Sequence, residues 1–362
     1  MIFTLGELFS GPGGLAKGAV NVGFEHDGEI YGVNHGWAND IDSDSCNTYI
    51  NNIPNANNEN VICQDVKELD VERLENIDAF AYGFPCNDFS LVGEQKGFNG
   101  NFGPLYTYGI KVINRFNPIF FVAENVGGIT SANQGNAFKK ILQDLEESGD
   151  FGYNLTINLY KSEKYGIPQT RHRIIIVGIR KDHDLTFRVP VTTTPKTEDY
   201  VTSKDALENP PITSNALNNE LTKQSKLVVE RLSHIKPGEN VWKEGLPKHL
   251  QLNVKSARLS QIYKKLHPDK PSYTITGSGG GGTHGYHYAE NRALTNRERA
   301  RIQTFPDDYH FFGTKESVRK QIGMAVPVKL AEVVFEAILK TFAGINYESI
   351  EPSYKYDNRE LV

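Results

Sequence analysis

The stretch Thr4-Leu5-Gly6-Glu7-Leu8-Phe9-Ser10-Gly11-Pro12-Gly13-Gly14-Leu15 carries a short β-rich run into a glycine-rich turn and then into a helical pattern. A turn of this kind lets the backbone approach a ligand at the carboxyl edge of a sheet, because glycine adopts dihedrals that other residues resist. The dinucleotide pattern is met only in a looser form, with Ala16 in the last glycine position. Tight strand-to-helix turns also use glycine for backbone reasons alone, so this stretch by itself leaves both readings open.

Working outward, β-rich runs recur at 2–8, 29–33, 61–64, 78–82, 119–123 and 173–178, with helical patterns at 14–22, 42–51, 105–116 and 137–148. This alternation predicts an α/β fold, a parallel sheet covered by helices on both faces. From Lys181 the rhythm gives way to polar sequence punctuated by Pro190, Pro195, Pro210, Pro211, Pro237, Pro247, Pro268 and Pro271. Helical pattern returns at 295–303 and at 328–342, the latter apolar enough to pack against the first domain. The expected organisation is a large domain over 1–181 completed by 321–345, a smaller region over 182–320, and a polar tail over 346–362.

The net charge of -5 hides an asymmetry. Residues 181–320 hold 22 Lys+Arg against 16 Asp+Glu, and the rest of the chain 17 against 28. A locally basic segment on an acidic body suits a protein with one polyanion-facing surface, although solvated lysines produce similar counts. No apolar run reaches bilayer-spanning length, and the N-terminus lacks an export signal, so a cytoplasmic protein is expected. Cys46, Cys63 and Cys86 are an odd number at spacings unlike zinc-ligand pairs, which argues for neither a disulfide framework nor a metal site.

The segment Tyr82-Gly83-Phe84-Pro85-Cys86-Asn87-Asp88-Phe89-Ser90 sends a cysteine off the end of a strand into a loop bearing Gly93, Gly97, Gly100 and Gly103. It reads as an exposed thiol on a closing loop. The next strand ends in Ala123-Glu124-Asn125-Val126, which puts a carboxylate at the same sheet edge. Downstream, Gln169-Thr170-Arg171-His172-Arg173 opens a strand in which alternation places Arg171 and Arg173 on one face. Taken singly, a buried cysteine or a structural ion pair is the commoner explanation of each.

Together and in order, these motifs closely resemble the cytosine-5 DNA methyltransferase family. The resemblance spans nearly the whole chain. It continues through Arg292-Ala293-Leu294-Thr295-Asn296-Arg297-Glu298, Gln303-Thr304-Phe305-Pro306-Asp307 and Gly323-Met324-Ala325-Val326-Pro327. It implies a Rossmann-like S-adenosylmethionine-dependent methyltransferase fold with a second, smaller target-recognition domain, acting on double-stranded DNA. It further implies that Cys86 is the nucleophile, that Glu124 contacts the ring nitrogen of the target base, and that Arg171 and Arg173 support them. Phe9, Ser10, Gly11, Gly13, Gly14 and Leu15 would line S-adenosylmethionine, with Asp40 on its ribose, Ile41 and Val66 on its adenine faces and Asp65 on its amino group. Pro85, Leu105, Ala325 and Val326 would complete that pocket. For Asp40 and Asp65 the residues alone equally allow helix capping.

The implied chemistry needs such parts. Carbon 5 of cytosine is a poor nucleophile, so a thiolate adds first at carbon 6 and converts the ring to an enamine. A carboxyl able to hold a proton at ring nitrogen 3 requires a pKa raised by desolvation. A stacked base cannot present carbon 6, so the cytosine is expected to flip out of the duplex. The sequence departs from the family at Asn87, where glutamine is common, and at Met324, where asparagine is common. A transfer-RNA methyltransferase and a catalytically silent DNA-binding regulator share the fold. The first usually carries a Cys-Phe-Thr element, which is absent here, and the intact cysteine, glutamate and arginines oppose the second. A partner restriction endonuclease without stable contact, a monomeric state and nucleoid association through DNA complete the expectations.

Overall fold

The computed structural model describes residues 1–84, 105–253, 259–280 and 282–356. In chain order the elements are β1 (Ile2–Leu8), α1 (Gly14–Asn21), β2 (Gly23–His26), β3 (Glu29–Asp40), α2 (Ser43–Asn52), β4 (Val61–Cys63), β5 (Ala79–Gly83), α3 (Tyr106–Phe116), β6 (Phe120–Val126) and α4 (Asn136–Glu146). They continue with β7 (Tyr153–Lys161), β8 (Gln169–Thr170), β9 (His172–Arg180), β10 (Val189–Pro190), α5 (Ser203–Glu208), α6 (Lys226–Ser233), β11 (Ser272–Tyr273), α7 (Asn296–Ile302), α8 (Lys315–Met324), α9 (Val328–Phe342) and β12 (Ser349–Ile350). Two compact units emerge: Met1–Lys161 with His172–Thr192 and Val328–Val362, and Ser162–Arg171 with Thr193–Pro327.

The first unit is built on an eight-stranded sheet in the order β2-β3-β1-β5-β6-β9-β7, with β4 also paired to β3. β3, β1, β5 and β6 run parallel, so their carboxyl ends share one edge. The expected all-parallel sheet is corrected at its margins, where β2 meets β3, and β9 meets both β6 and β7, antiparallel. β5 and β6 are buried along most of their length, as apolar runs such as Ala79-Phe80-Ala81-Tyr82 require. Helices α3 and α4 present apolar stripes to a core that includes Phe80, Tyr82, Phe121, Phe138, Ile141 and Tyr153. α9 belongs to this unit and lies tight against α1. A Cβ added at Gly18 would stand 2.4 Å from Ala331 Cβ. The tail contributes β12, which pairs antiparallel with β10.

The second unit has little regular structure and smaller cores, one around Leu232, Leu250, Tyr263 and Tyr286, another around Leu266, Ile275, Leu294 and Ile302. Helix α7 is closed by a full capping box. Thr295 Oγ1 accepts from Glu298 N at 3.1 Å while Glu298 Oε2 accepts from Thr295 N at 2.8 Å.

Candidate active site

Between β1 and α1 the chain makes two left-handed steps at glycine, Gly11 at φ 52° and Gly13 at φ 89°, and a third at Phe9 with φ 55°. Gly11 N donates to Asp40 Oδ2 at 2.8 Å, and Ser10 N donates to Asn39 O at 3.1 Å, so the turn is moored to the end of β3. Asp40 Oδ1 accepts from Asp42 N at 2.9 Å. Burial pushes the Asp40 carboxyl above the ordinary aspartate value, and the backbone N–H groups of Asp42 and Gly11 oppose that shift. The helix-capping alternative for Asp40 is not what the structure uses, since Asp42 caps α2 by accepting from Ser45 N at 3.0 Å. Asp65 does cap a short turn, its Oδ1 accepting from Lys67 N at 3.0 Å.

Three features leave room for a ligand here. A Cβ built on Gly11 meets nothing within 4 Å. Ser10 Oγ is buried and has no hydrogen-bond partner among the described residues. Val66 and Leu105 are buried in the core cluster against which Phe9 packs, whereas Ile41 is 68% exposed at the rim. An adenosyl group needs an acceptor for ribose hydroxyls, an open approach to backbone and apolar walls for a ring, and these residues supply all three. Asn39, not foreseen from sequence, holds the strand ends together by donating to Ile62 O at 2.8 Å and Gln64 O at 2.9 Å.

At the same sheet edge Glu124 sits in register with Gly83 on the neighbouring strand. Glu124 Oε1 pairs with Arg173 Nε at 2.7 Å, both side chains 12% exposed. Gly83 has no side chain to cover the carboxylate, and a Cβ there would stand 3.0 Å from Glu124 Oε2. Asn125 is a second residue that sequence reading missed as a contributor. Its Nδ2 donates to Phe84 O at 3.0 Å, fixing the backbone as it leaves β5. The signal was present in the Glu124-Asn125 pair, because a buried amide beside a functional carboxylate demands a partner. Pro85, Cys86 and Asn87 lie outside the described residues, as does the glycine-bearing loop that follows.

The expected shared face for Arg171 and Arg173 is corrected. β9 begins at His172, and Arg171 precedes it in the second unit. There its guanidinium donates to Ile275 O and Gly323 O, each at 3.0 Å, beside Gln169 and Gln303, whose side chains bond at 2.8 Å. Gln303 Nε2 reaches Ile322 O at 2.7 Å and Ala325 O at 3.2 Å. Ala325 and Val326 are buried in this unit, and Met324 is 66% exposed.

A family model described as C-5 cytosine-specific DNA methylase matches residues 3–340. The chain belongs to that family. Type II methyltransferase M.BbvI of Brevibacillus brevis is 57% identical over 364 residues, covering 99% of this chain and 96% of that protein. Type II methyltransferase M.NgoFVII of Neisseria gonorrhoeae is 38% identical, with 95% and 88% covered. DNA (cytosine-5-)-methyltransferase M.ApeKI of Aeropyrum pernix is 29% identical, with 93% and 98% covered. Among solved structures, Entamoeba histolytica methyltransferase EhMeth aligns with a TM-score of 0.64 at 15% identity, covering 94% of this chain and 98% of that one. Spodoptera frugiperda DNMT2 aligns at 0.60 and 16%, covering 92% and 99%, a likeness of fold. The methylase is thus a DNA (cytosine-5-)-methyltransferase whose cofactor is S-adenosylmethionine. Among the described residues no helix is long and apolar enough to cross a membrane.

Proposed function

We propose that the chain methylates carbon 5 of a cytosine flipped from a specific duplex site, with Cys86 as the covalent nucleophile. The observation that carries this reading is the Glu124–Arg173 pair, 12% exposed at the carboxyl edge of the sheet, beside the end of β5 at Gly83 and on the same edge as the Gly11–Asp40 cradle. When bound, S-adenosylmethionine supplies an electrophilic methyl. The chain's own groups do the rest. The Cys86 thiolate adds to carbon 6 and leaves when the proton on carbon 5 is lost. Glu124 holds a proton at ring nitrogen 3, so that negative charge does not build up on the ring. Arg173 fixes the rotamer of Glu124 through a charge-assisted bond. Phe9, Ser10, Gly11, Gly13, Gly14, Leu15, Asp40, Asp65 and Val66 hold the cofactor, with Ile41, Pro85, Leu105, Ala325 and Val326 closing around it.

Residues 182–320 read the target sequence, in keeping with their excess of Lys and Arg. The named relatives are Type II methyltransferases, which supports protection of DNA against a paired restriction endonuclease that need not bind this chain. A monomer in the cytoplasm, reaching the nucleoid through DNA, completes the reading. The test is a duplex bearing 5-fluorocytosine at the target, which has no carbon 5 proton to lose. It should form a stable adduct that maps to Cys86 and requires the methyl donor. Cys86→Ser should abolish turnover while Cys46→Ser and Cys63→Ser retain it. An adduct on another residue, or methylation of transfer RNA in preference to duplex DNA, overturns the assignment.

A further inference from the structure

Two thiols that the catalytic reading does not use meet beside the Asp40 end of the cofactor cradle. β4 pairs with β3 in parallel register, and Cys63, its last residue, stands opposite Asp40. α2 packs over the same two strands, and its Cys46, 3% exposed, sits in an apolar cluster with Ala38 of β3 and Val61 of β4. Cys46 Sγ donates to Asp40 O at 3.6 Å, and Gln64 N donates to the same carbonyl at 3.0 Å. The two segments that carry the cysteines therefore converge on one peptide oxygen, and their thiols are in hydrogen-bond contact.

The two thiols differ in what can reach them. Cys63 is free and open to solvent, so an oxidant meets it first, whereas Cys46 is free and buried. Burial, the Cys63 contact and the charges of Asp40 and Asp42 hold the Cys46 thiol well above the ordinary cysteine range. It stays protonated at neutral pH and reacts only with a partner already placed against it. Asp40 is also tied to α2. Its Oδ1 accepts from Asp42 N at 2.9 Å, and Asp42 O accepts from Cys46 N at 3.0 Å. A displacement of Cys46 is thus carried through the first turn of α2 to the Asp40 carboxylate.

We propose that Cys46 and Cys63 form a thiol-oxidation site that closes to a disulfide on exposure to hydrogen peroxide, and that the disulfide lowers affinity for S-adenosylmethionine. Peroxide transfers one oxygen to the Cys63 sulfur, which becomes a sulfenic acid as water is released. The Cys46 sulfur then attacks the Cys63 sulfur, the S–O bond breaks, and the Cys46 proton departs with the hydroxyl as a second water. The two thiols lose two electrons, and the O–O bond of the peroxide takes them up. An S–S bond is about 2.0 Å long, so the sulfurs must draw together from contact distance. Asp40 O loses its S–H donor, and the pull on α2 shifts Asp42 N against the Asp40 carboxylate. The effect on cofactor rests on the reading of Asp40 as the ribose acceptor, but the disulfide itself does not.

The experiment treats the protein with hydrogen peroxide, blocks remaining thiols and maps peptides without reduction. Affinity for S-adenosylmethionine is measured by calorimetry before treatment, after it, and after dithiothreitol. Wild type should yield a peptide linking Cys46 to Cys63 and bind cofactor roughly 2- to 10-fold more weakly, the loss of one hydrogen bond, with dithiothreitol restoring the starting value. Cys63→Ser and Cys46→Ser should hold the affinity of their untreated forms through the same treatment, which separates this site from oxidation of Cys86. Cys63 recovered as a sulfinic acid or joined to Cys86, with no Cys46 link, overturns the pair. A Cys46 to Cys63 link with unchanged cofactor affinity overturns the coupling to the cradle. Asp40→Ala that binds cofactor as tightly as wild type would defeat the reading of Asp40, with the linked peptide still deciding the pair.

Discussion

Arg171 and Arg173 stand two residues apart and are spent in opposite ways. Arg173 lies on β9 and pairs with one carboxylate at 2.7 Å in a site left open by Gly83. Arg171, 2% exposed, belongs to the other unit and binds two backbone carbonyls, tying β11's neighbour Ile275 to the end of α8. An ion pair at a sheet edge that a ligand can reach is available for chemistry. A buried guanidinium that bridges two main-chain carbonyls holds a fold together. The pair teaches that spacing of two implies a shared face only while the strand continues, and here β9 begins between them.

The comparison is sharpest at its functional end. Glu124→Gln should lower kcat by roughly 10²–10⁴-fold, the range for losing a proton-transfer group, with little change in melting temperature. Arg173→Met should follow it in kind, lowering kcat more than it alters stability. Arg171→Met should behave in the reverse sense. It orphans two buried carbonyls, and a loss on the order of 3 kcal/mol in urea unfolding is expected. An Arg171 variant that unfolds normally yet cannot turn over would break the contrast. Asp40→Ala should weaken S-adenosylmethionine by roughly 1.5–3 kcal/mol in calorimetry, the contribution of a hydrogen bond to a charged group, with duplex affinity unmoved.

A smaller effect distinguishes the interior of the first unit. Glu7, 1% exposed, accepts from Tyr49 Oη at 3.2 Å, and burial pushes its carboxyl from the ordinary 4.5 to about 8. Between those two values the folded chain holds a proton that the unfolded chain has lost. Stability from this group is therefore full below the lower value and declines as pH rises towards the upper one. Glu7→Gln should remove that decline, gaining on wild type by up to a few kcal/mol between pH 5 and 8 in denaturant titrations. Parallel pH profiles for the two proteins would refute it.

Much of the first unit was legible because its central strands are apolar runs closed by turn residues, and the sheet edge they define gathers Gly11, Asp40 and Glu124. What escaped was polar strand. β7 carries Asn154, Thr156 and Asn158, which look like loop residues. They are satisfied by Leu185 O at 3.2 Å, Phe187 O at 2.8 Å and Ser353 N at 2.9 Å, partners far along the chain. The extension of β3 past residue 33 was hidden for the same reason, since Asn39 is paid for by carbonyls of another strand. The second unit was legible only as a break in rhythm, because its shape depends on side chains such as Arg171, Arg297 and Gln303 reaching main-chain carbonyls that no local pattern reveals.

The seating of α9 on α1 has a consequence for how the molecule is made. Phe342 meets Phe3 and Phe120 with ring centroids 5.1 and 5.9 Å apart, so β1 waits for a partner more than three hundred residues later in the chain. The flank of the first unit that α9 covers therefore stays open until translation has passed α9, its apolar side chains available to chaperones.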